Sequence, residues 1–187
     1  VERVKKNLVV EAREKSKRLE KLKGEEVLGE LTNLFSDGIK YIESTDLSGA
    51  LKGRQNVYNH LDMLVREAQK SITLITTADG LSRKLEVLLP SLEKAKKRGV
   101  EIKIVAKITA ENKSVAKDFA KVAEVKDCGN LQARFMIVDG EQLMFMLLND
   151  QEVHPTYDIG VWLNTEFFAK ALEQLFNVAW KGFKAVK

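Results

Sequence analysis

The stretch "LQARFMIVDGEQLMFMLLND", residues 131–150, constrains the fold more than any other. Side chains alternate between the two faces of a strand, so a half-covered sheet shows alternating polarity. Here segments 131–138 and 142–148 are apolar at both parities, which calls for a sheet covered on both sides. They meet at Asp139-Gly140, a good hairpin turn. Gln132 and Arg134 interrupt the apolar pattern. An unpaired buried charge costs several kcal/mol, so Arg134 needs a partner. Asp139 or an acid from a second subunit is the expected one.

The remaining segments alternate between two periods. Strands are expected at 71–76 ("SITLIT"), 100–106 ("VEIKIVA"), 124–127 ("EVKD") and 158–163 ("DIGVWL"). Helical spacing runs over 56–69, 81–98, 111–123 and 166–181, with Pro90 as a break or kink in the second. Gly49 and Gly53 read as punctuation of a loop in "STDLSGALKGRQN". The run "KAKKRG" ends a helix, with cations in the last turn and Gly99 beyond. This explains Lys94, Lys96, Lys97 and Arg98 without a binding patch. Strands alternating with helices, plus one hairpin, give an α/β domain over 49–187 with a mixed sheet and helices on both faces.

Residues 1–48 read differently. Val4, Leu8, Ala12, Leu19 and Leu22 form a narrow, coiled-coil-like stripe, interrupted at Lys15. Val27, Leu28, Leu31, Leu34, Phe35, Ile39 and Ile42 form a broader one. The segment is expected to be a helical linker and dimerisation arm. Residues 1–24 carry 9 Lys/Arg against 4 Asp/Glu, while the whole chain is only +4. A solvated helix accounts for that excess, and contact with a DNA backbone is the alternative.

Composition excludes several classes. No apolar run approaches the ~20 residues of a membrane span, and the charged N-terminus lacks a signal-peptide pattern. The single cysteine, Cys128, rules out a disulfide framework and suits the cytoplasm. His60 and His154 have no metal-ligand spacing. His60 is expected to be solvated, and His154, beside Pro155 in a loop, is a candidate ligand contact. There is no glycine-rich phosphate loop. No cofactor is expected.

Gln132, Arg134, Asp139 and Asn149 fall on a recognisable spacing. The pattern resembles the phospholipase D signature, His-x-Lys-x4-Asp followed by Gly-Ser-x-Asn. Gln132 stands at the histidine, Arg134 at the lysine, Asp139 at the aspartate and Asn149 at the asparagine. Met146 and Leu147 replace the glycine and serine. In that superfamily the resemblance implies a histidine that attacks phosphorus and a lysine that clamps phosphate. An amide is neither nucleophilic nor a proton acceptor at neutral pH, so Gln132 cannot replace that histidine.

Over residues 51–181, "KGRQNV", "RGVEIKI", "ARFMIVDG" and the closing "F…LF…W" helix resemble the TrmB family of archaeal transcriptional regulators. The resemblance implies a winged-helix DNA reader, a coiled-coil linker and a catalytically silent phospholipase D-like domain in a homodimer. The chain starts at Val1 without that reader, so a fragment is expected, with DNA bound through the missing part. The family's extra C-terminal β-domain has no counterpart after Trp180, so sugar sensing is not carried over.

The expected function is thus the dimerisation and effector-type part of such a regulator. Its degenerate cleft would face the mate across a two-fold axis, lined by Gln132, Arg134 and Asn149. Thr76 and Thr77 stand at the neighbouring strand end, and Asp139 and His154 complete the candidates for a small polar or anionic effector. Two alternatives remain: a phosphodiesterase or nuclease with a substituted nucleophile, and a scaffold binding DNA or the transcription machinery through its basic arm.

Overall fold

The computed structural model describes residues 13–17 and 47–186. Residues 13–17 are helical; the two apolar stripes of the expected arm otherwise lie outside the described residues. The chain divides into two compact units, Val1–Glu43 and Ser44–Lys187. Among the described residues, all strands belong to the second unit.

In chain order the elements are β1 (Ser48–Lys52), α1 (Arg54–Glu67), β2 (Ser71–Thr76), α2 (Ala78–Lys97), β3 (Glu101–Ala106), α3 (Lys113–Ala120) and β4 (Glu124–Asp127). Then come β5 (Phe135–Val138), β6 (Gln142–Met146), a 3-10 turn (Pro155–Tyr157), β7 (Ile159–Asn164), α4 (Glu166–Trp180) and β8 (Lys184–Ala185). Among the described residues, eight strands form one sheet in the order β1-β7-β6-β5-β2-β3-β4-β8. β2, β3 and β4 run parallel, and the other pairings are antiparallel, so the sheet is mixed as expected.

The double apolar parity of the hairpin has the anticipated cause. Met136, Val138, Met144 and Met146 join one core with Ile72, Leu74, Ile102 and Ile104, under apolar residues of α1, α2 and α3. Ile137 and Leu143 face the other way and pack with Ala169 of α4. Ile75 and Val105 meet Phe176 and Trp180 on that same side. Three helices thus cover one face and α4 covers the other.

Several expectations need correction. Residues 48–52 are not a loop but an edge strand paired with β7. Glycine is tolerated in it because the Trp162 indole lies where a side chain would be: a Cβ on Gly49 would come within 2.6 Å of that ring. β5 begins at Phe135 rather than residue 131, and β6 ends at Met146. Pro90 neither breaks nor ends its helix, since α2 continues through it for 20 residues. The expected stop is present: Gly99 adopts φ 87°, in the left-handed region glycine favours. His60 is half-buried against Trp162 rather than solvated, with ring centroids 6.0 Å apart. Burial lowers its pKa, with Glu67 opposing.

Candidate functional site

The site lies where the parallel strands β2 and β3 end and β5 begins, the usual location of a crevice in such sheets. Thr77 follows β2 and caps α2, its Oγ1 accepting from the Gly80 N–H at 3.0 Å. The same hydroxyl donates to Asp150 Oδ2 at 2.8 Å. Arg83, further along α2, also donates to Asp150. A Cβ on Gly80 would fall 2.3 Å from Thr76 Oγ1 and 2.7 Å from Thr77 Oγ1. Only glycine allows this crowding.

Arg134 stands one residue before β5, and its guanidinium is buried. Its partner within the chain is Asp158 rather than Asp139. Its Nη1 and Nη2 donate to Asp158 Oδ1 and Oδ2 at 3.0 and 2.7 Å, a two-pronged contact. Nη1 also donates to the Leu148 carbonyl. Asp158, fully buried ahead of β7, accepts a third bond from Arg54 Nε at 3.2 Å. Burial pushes the Asp158 carboxyl up, but hydrogen bonds and charge from Arg134 and then Arg54 outweigh it and hold the pKa below its ordinary value. Arg54 also donates to the carbonyls of Asp150 and Val153, tying down the β6–β7 connection.

Beneath this pair lies Lys84 of α2, with no exposed surface. Its Nζ donates to Thr76 Oγ1 at 2.9 Å and stands 5.1 Å from the centre of the Tyr58 ring. Three arginines, Arg54, Arg83 and Arg134, share two carboxylates, Asp150 and Asp158, with Lys84 buried beside them. Burial first, and then the charge of Arg134, push the Lys84 pKa down to about 7.

Above the network opens a cavity of about 360 Å³, lined in part by Thr77, Lys107, Gln132, Arg134, Asn149 and Gln151. Leu131, Leu147 and Leu148 also line it and are exposed. Gln132, Arg134, Asn149 and Thr77 thus line one cavity. Asn149 mainly organises its own turn: its Oδ1 accepts from the Gln151 N–H and its Nδ2 donates to Glu152.

Three candidates lie elsewhere. Thr76 is turned below, onto Lys84. His154 is exposed, and its Nδ1 accepts from the Thr156 N–H to cap the 3-10 turn. Asp139 sits at the opposite end of β5. Its carboxylate accepts from the backbone N–H groups of Gln69, Lys70 and Ser71 at 2.9, 2.7 and 2.9 Å. It staples the start of β2 to the hairpin.

Sequence reasoning missed Arg54, Arg83, Lys84, Asp150 and Asp158. One signal was available, an aspartate set directly against the apolar run of β7. Among the described residues no group of three or more His, Cys, Asp or Glu side chains is placed to hold a metal ion. No helix of the described residues is long and apolar enough to cross a membrane.

Residues 50–186 match the family model described as transcriptional regulator TrmB, EBD N-terminal subdomain. The chain belongs to the TrmB family. No curated protein sequence matches it. Among solved structures it is similar to TrmBL2, described as an archaeal chromatin protein with a novel mode of DNA binding. That match has 20% identity and a TM-score of 0.60, covering 97% of this chain and 69% of TrmBL2. It is also similar to Nuc from Salmonella typhimurium, a phospholipase D family member, at 17% identity and TM-score 0.54. Here 74% of this chain and 97% of Nuc are covered. NucT from Helicobacter pylori matches at 10% identity and TM-score 0.56, covering 74% and 98%. At these identities the likeness is one of fold, and the fold of this TrmB-family domain is phospholipase D-like.

Proposed function

We propose that this chain is the dimerisation and effector-type domain of a TrmB-family regulator. It pairs with a second copy and carries out no catalysis. Residues 1–48 serve as the linker and dimerisation arm of that regulator. The observation that carries the loss of catalysis is the pairing of Arg134 with Asp158. The residue at the phosphate-clamping position already holds an internal carboxylate on both terminal nitrogens. Phosphoryl transfer depends on positioned charge that stabilises the transferring group, and that charge is spent here. Gln132 supplies no nucleophile beside it.

The same geometry favours a small polar effector over an anionic one. Arg54, Arg83 and Arg134 are committed to carboxylates inside the fold. What the cavity offers is amides from Gln132, Asn149 and Gln151, one exposed lysine, Lys107, and leucines.

A phosphodiester turnover assay tests the main reading. Turnover at the solvent background is expected. A genuine activity lost in both Gln132→Ala and Arg134→Ala would overturn it. In parallel, the chain is expected not to bind duplex DNA. Salt-sensitive binding abolished by neutralising Lys5, Lys6, Arg13, Lys17 and Arg18 would favour the scaffold reading instead.

A further inference from the structure

Helix α4 is apolar on two sides. Its inner side buries Ala169, Phe176 and Trp180 against the sheet. Its outer side presents Phe167, Phe168, Ala171, Leu175, Val178 and Ala179, all exposed. Phe167 is 88% exposed, Phe168 48%, Leu175 69% and Val178 74%. At 3.6 residues per turn these six positions span a strip about 120° wide. Glu166, Lys170, Glu173 and Lys181 all lie off it. The strip exposes on the order of 500 Å² of apolar surface, at the upper end for a patch on a monomer.

The order of side chains along the strip identifies what covers it. Measured from Glu173, the middle of the helix, Ala171 and Leu175 lie two residues to either side. Phe168 and Val178 lie five to either side, and Phe167 and Ala179 six. Every larger side chain is therefore mirrored by a smaller one. When an identical helix is laid antiparallel with the two midpoints opposed, Leu175 of each copy meets Ala171 of the other. On one flank of the strip Phe168 then lies against Ala179 of the other copy, and on the other flank Phe167 lies against Val178. A two-fold interface places one patch against itself, so residue i meets j and j meets i. This strip has that symmetry built in. The antiparallel arrangement also opposes the two helix dipoles favourably, and no charge needs to be buried. The strip supplies more than half of the ~800 Å² per partner of a standard interface.

We infer that the outer face of α4 is the surface on which two copies of this chain join, antiparallel and centred on Glu173. The inference rests on the homodimer reading above and replaces the arrangement in which the two clefts face each other.

The test uses the full chain with its sole cysteine, the buried Cys128, changed to alanine. Ala171→Cys and Leu175→Cys chains are prepared separately, mixed and mildly oxidised, while sedimentation velocity of the wild-type chain reports the oligomeric state. The inference expects a wild-type dimer and a disulfide joining an Ala171→Cys chain to a Leu175→Cys chain. It also expects little cross-linking of either variant alone or of Ala171→Cys mixed with Phe167→Cys. Adding Phe168→Glu to both partners is expected to reduce the cross-link at least tenfold, with circular dichroism unchanged. A wild-type dimer with no such cross-link, or one that cross-links through Leu147→Cys at the cleft, overturns the α4 interface and leaves the homodimer standing. A wild-type monomer at tens of micromolar overturns both.

Discussion

The buried carboxylate of Asp158 grips both terminal nitrogens of Arg134, at 3.0 and 2.7 Å, across 24 residues of chain. Arg54 adds a third contact, so one acid is shared by two arginines drawn from the start of α1 and the residue before β5. Breaking a buried pair by removing one partner costs ~3–5 kcal/mol, because the survivor stays buried and uncompensated. Asp158→Asn is therefore expected to lose stability in that range by urea unfolding. Arg134→Met combined with Asp158→Asn is expected to cost less than the two single changes together.

The same pair sets the outcome of placing a histidine at residue 132. Gln132→His places an imidazole at the position that resembles the histidine of the phospholipase D signature, but the Arg134 fork remains closed on Asp158. Phosphodiester turnover by Gln132→His is expected to stay at background. A rate enhancement beyond tenfold, measured with a chromogenic diester, would show that the fork opens to substrate.

Lys84 gives a pH signature. Its folded pKa of about 7 lies below the ordinary 10.5 of the unfolded chain. Between these values the unfolded state binds the proton and the folded state does not, so stability rises with pH across this window. The slope from this group approaches ~1.4 kcal/mol per pH unit. Below pH 7 both states are protonated and the group adds no slope. Lys84→Met is expected to flatten the rise between pH 7 and 9.5. Guanidinium unfolding of both proteins at several pH values measures the difference.

At the other end of the sheet, Asp139 holds three consecutive backbone N–H groups. Asp139→Ala leaves them to solvent and strains a position with φ 57°. A loss of about 2 kcal/mol is expected, with spectra of the Gln132 and Asn149 side-chain amides unchanged. Disturbance of those amides would mean that the two ends of β5 communicate.

What could be read from the chain was set by the range of the forces involved. β2 and β3 are local runs whose apolar pattern does not depend on their partners, and α4 carries its own periodicity. The parity of "FMIV" and "QLMFM" correctly required cover on both faces. β1 was hidden because Gly49 is there to admit the Trp162 ring, more than a hundred residues away. The true partner of Arg134 was hidden for the same reason. The nearer Asp139 is the obvious candidate in sequence, but a strand separates their side chains and Asp139 has backbone donors of its own. Lys84 looked like an ordinary cation on an amphipathic helix. Its burial follows from Thr76 and Tyr58 meeting it from two other elements. The cavity, in turn, takes residues from four separate segments, and only the spacing of Gln132, Arg134 and Asn149 hinted at it.

The crowding about Gly80 has a mechanical consequence. Thr76, Thr77 and Asp150 are packed so closely around the first turn of α2 that none can shift without moving the others. Asp150 follows Asn149 and precedes Gln151, both in the wall of the cavity. That first turn opens a continuous helix of 20 residues, a rod of roughly 30 Å. At its far end the Arg98 side chain donates to the carbonyls of Val65, Arg66 and Ala68, where α1 finishes. A small push on the cavity wall is thus applied to the short end of a lever, and α1 is hitched to the long end.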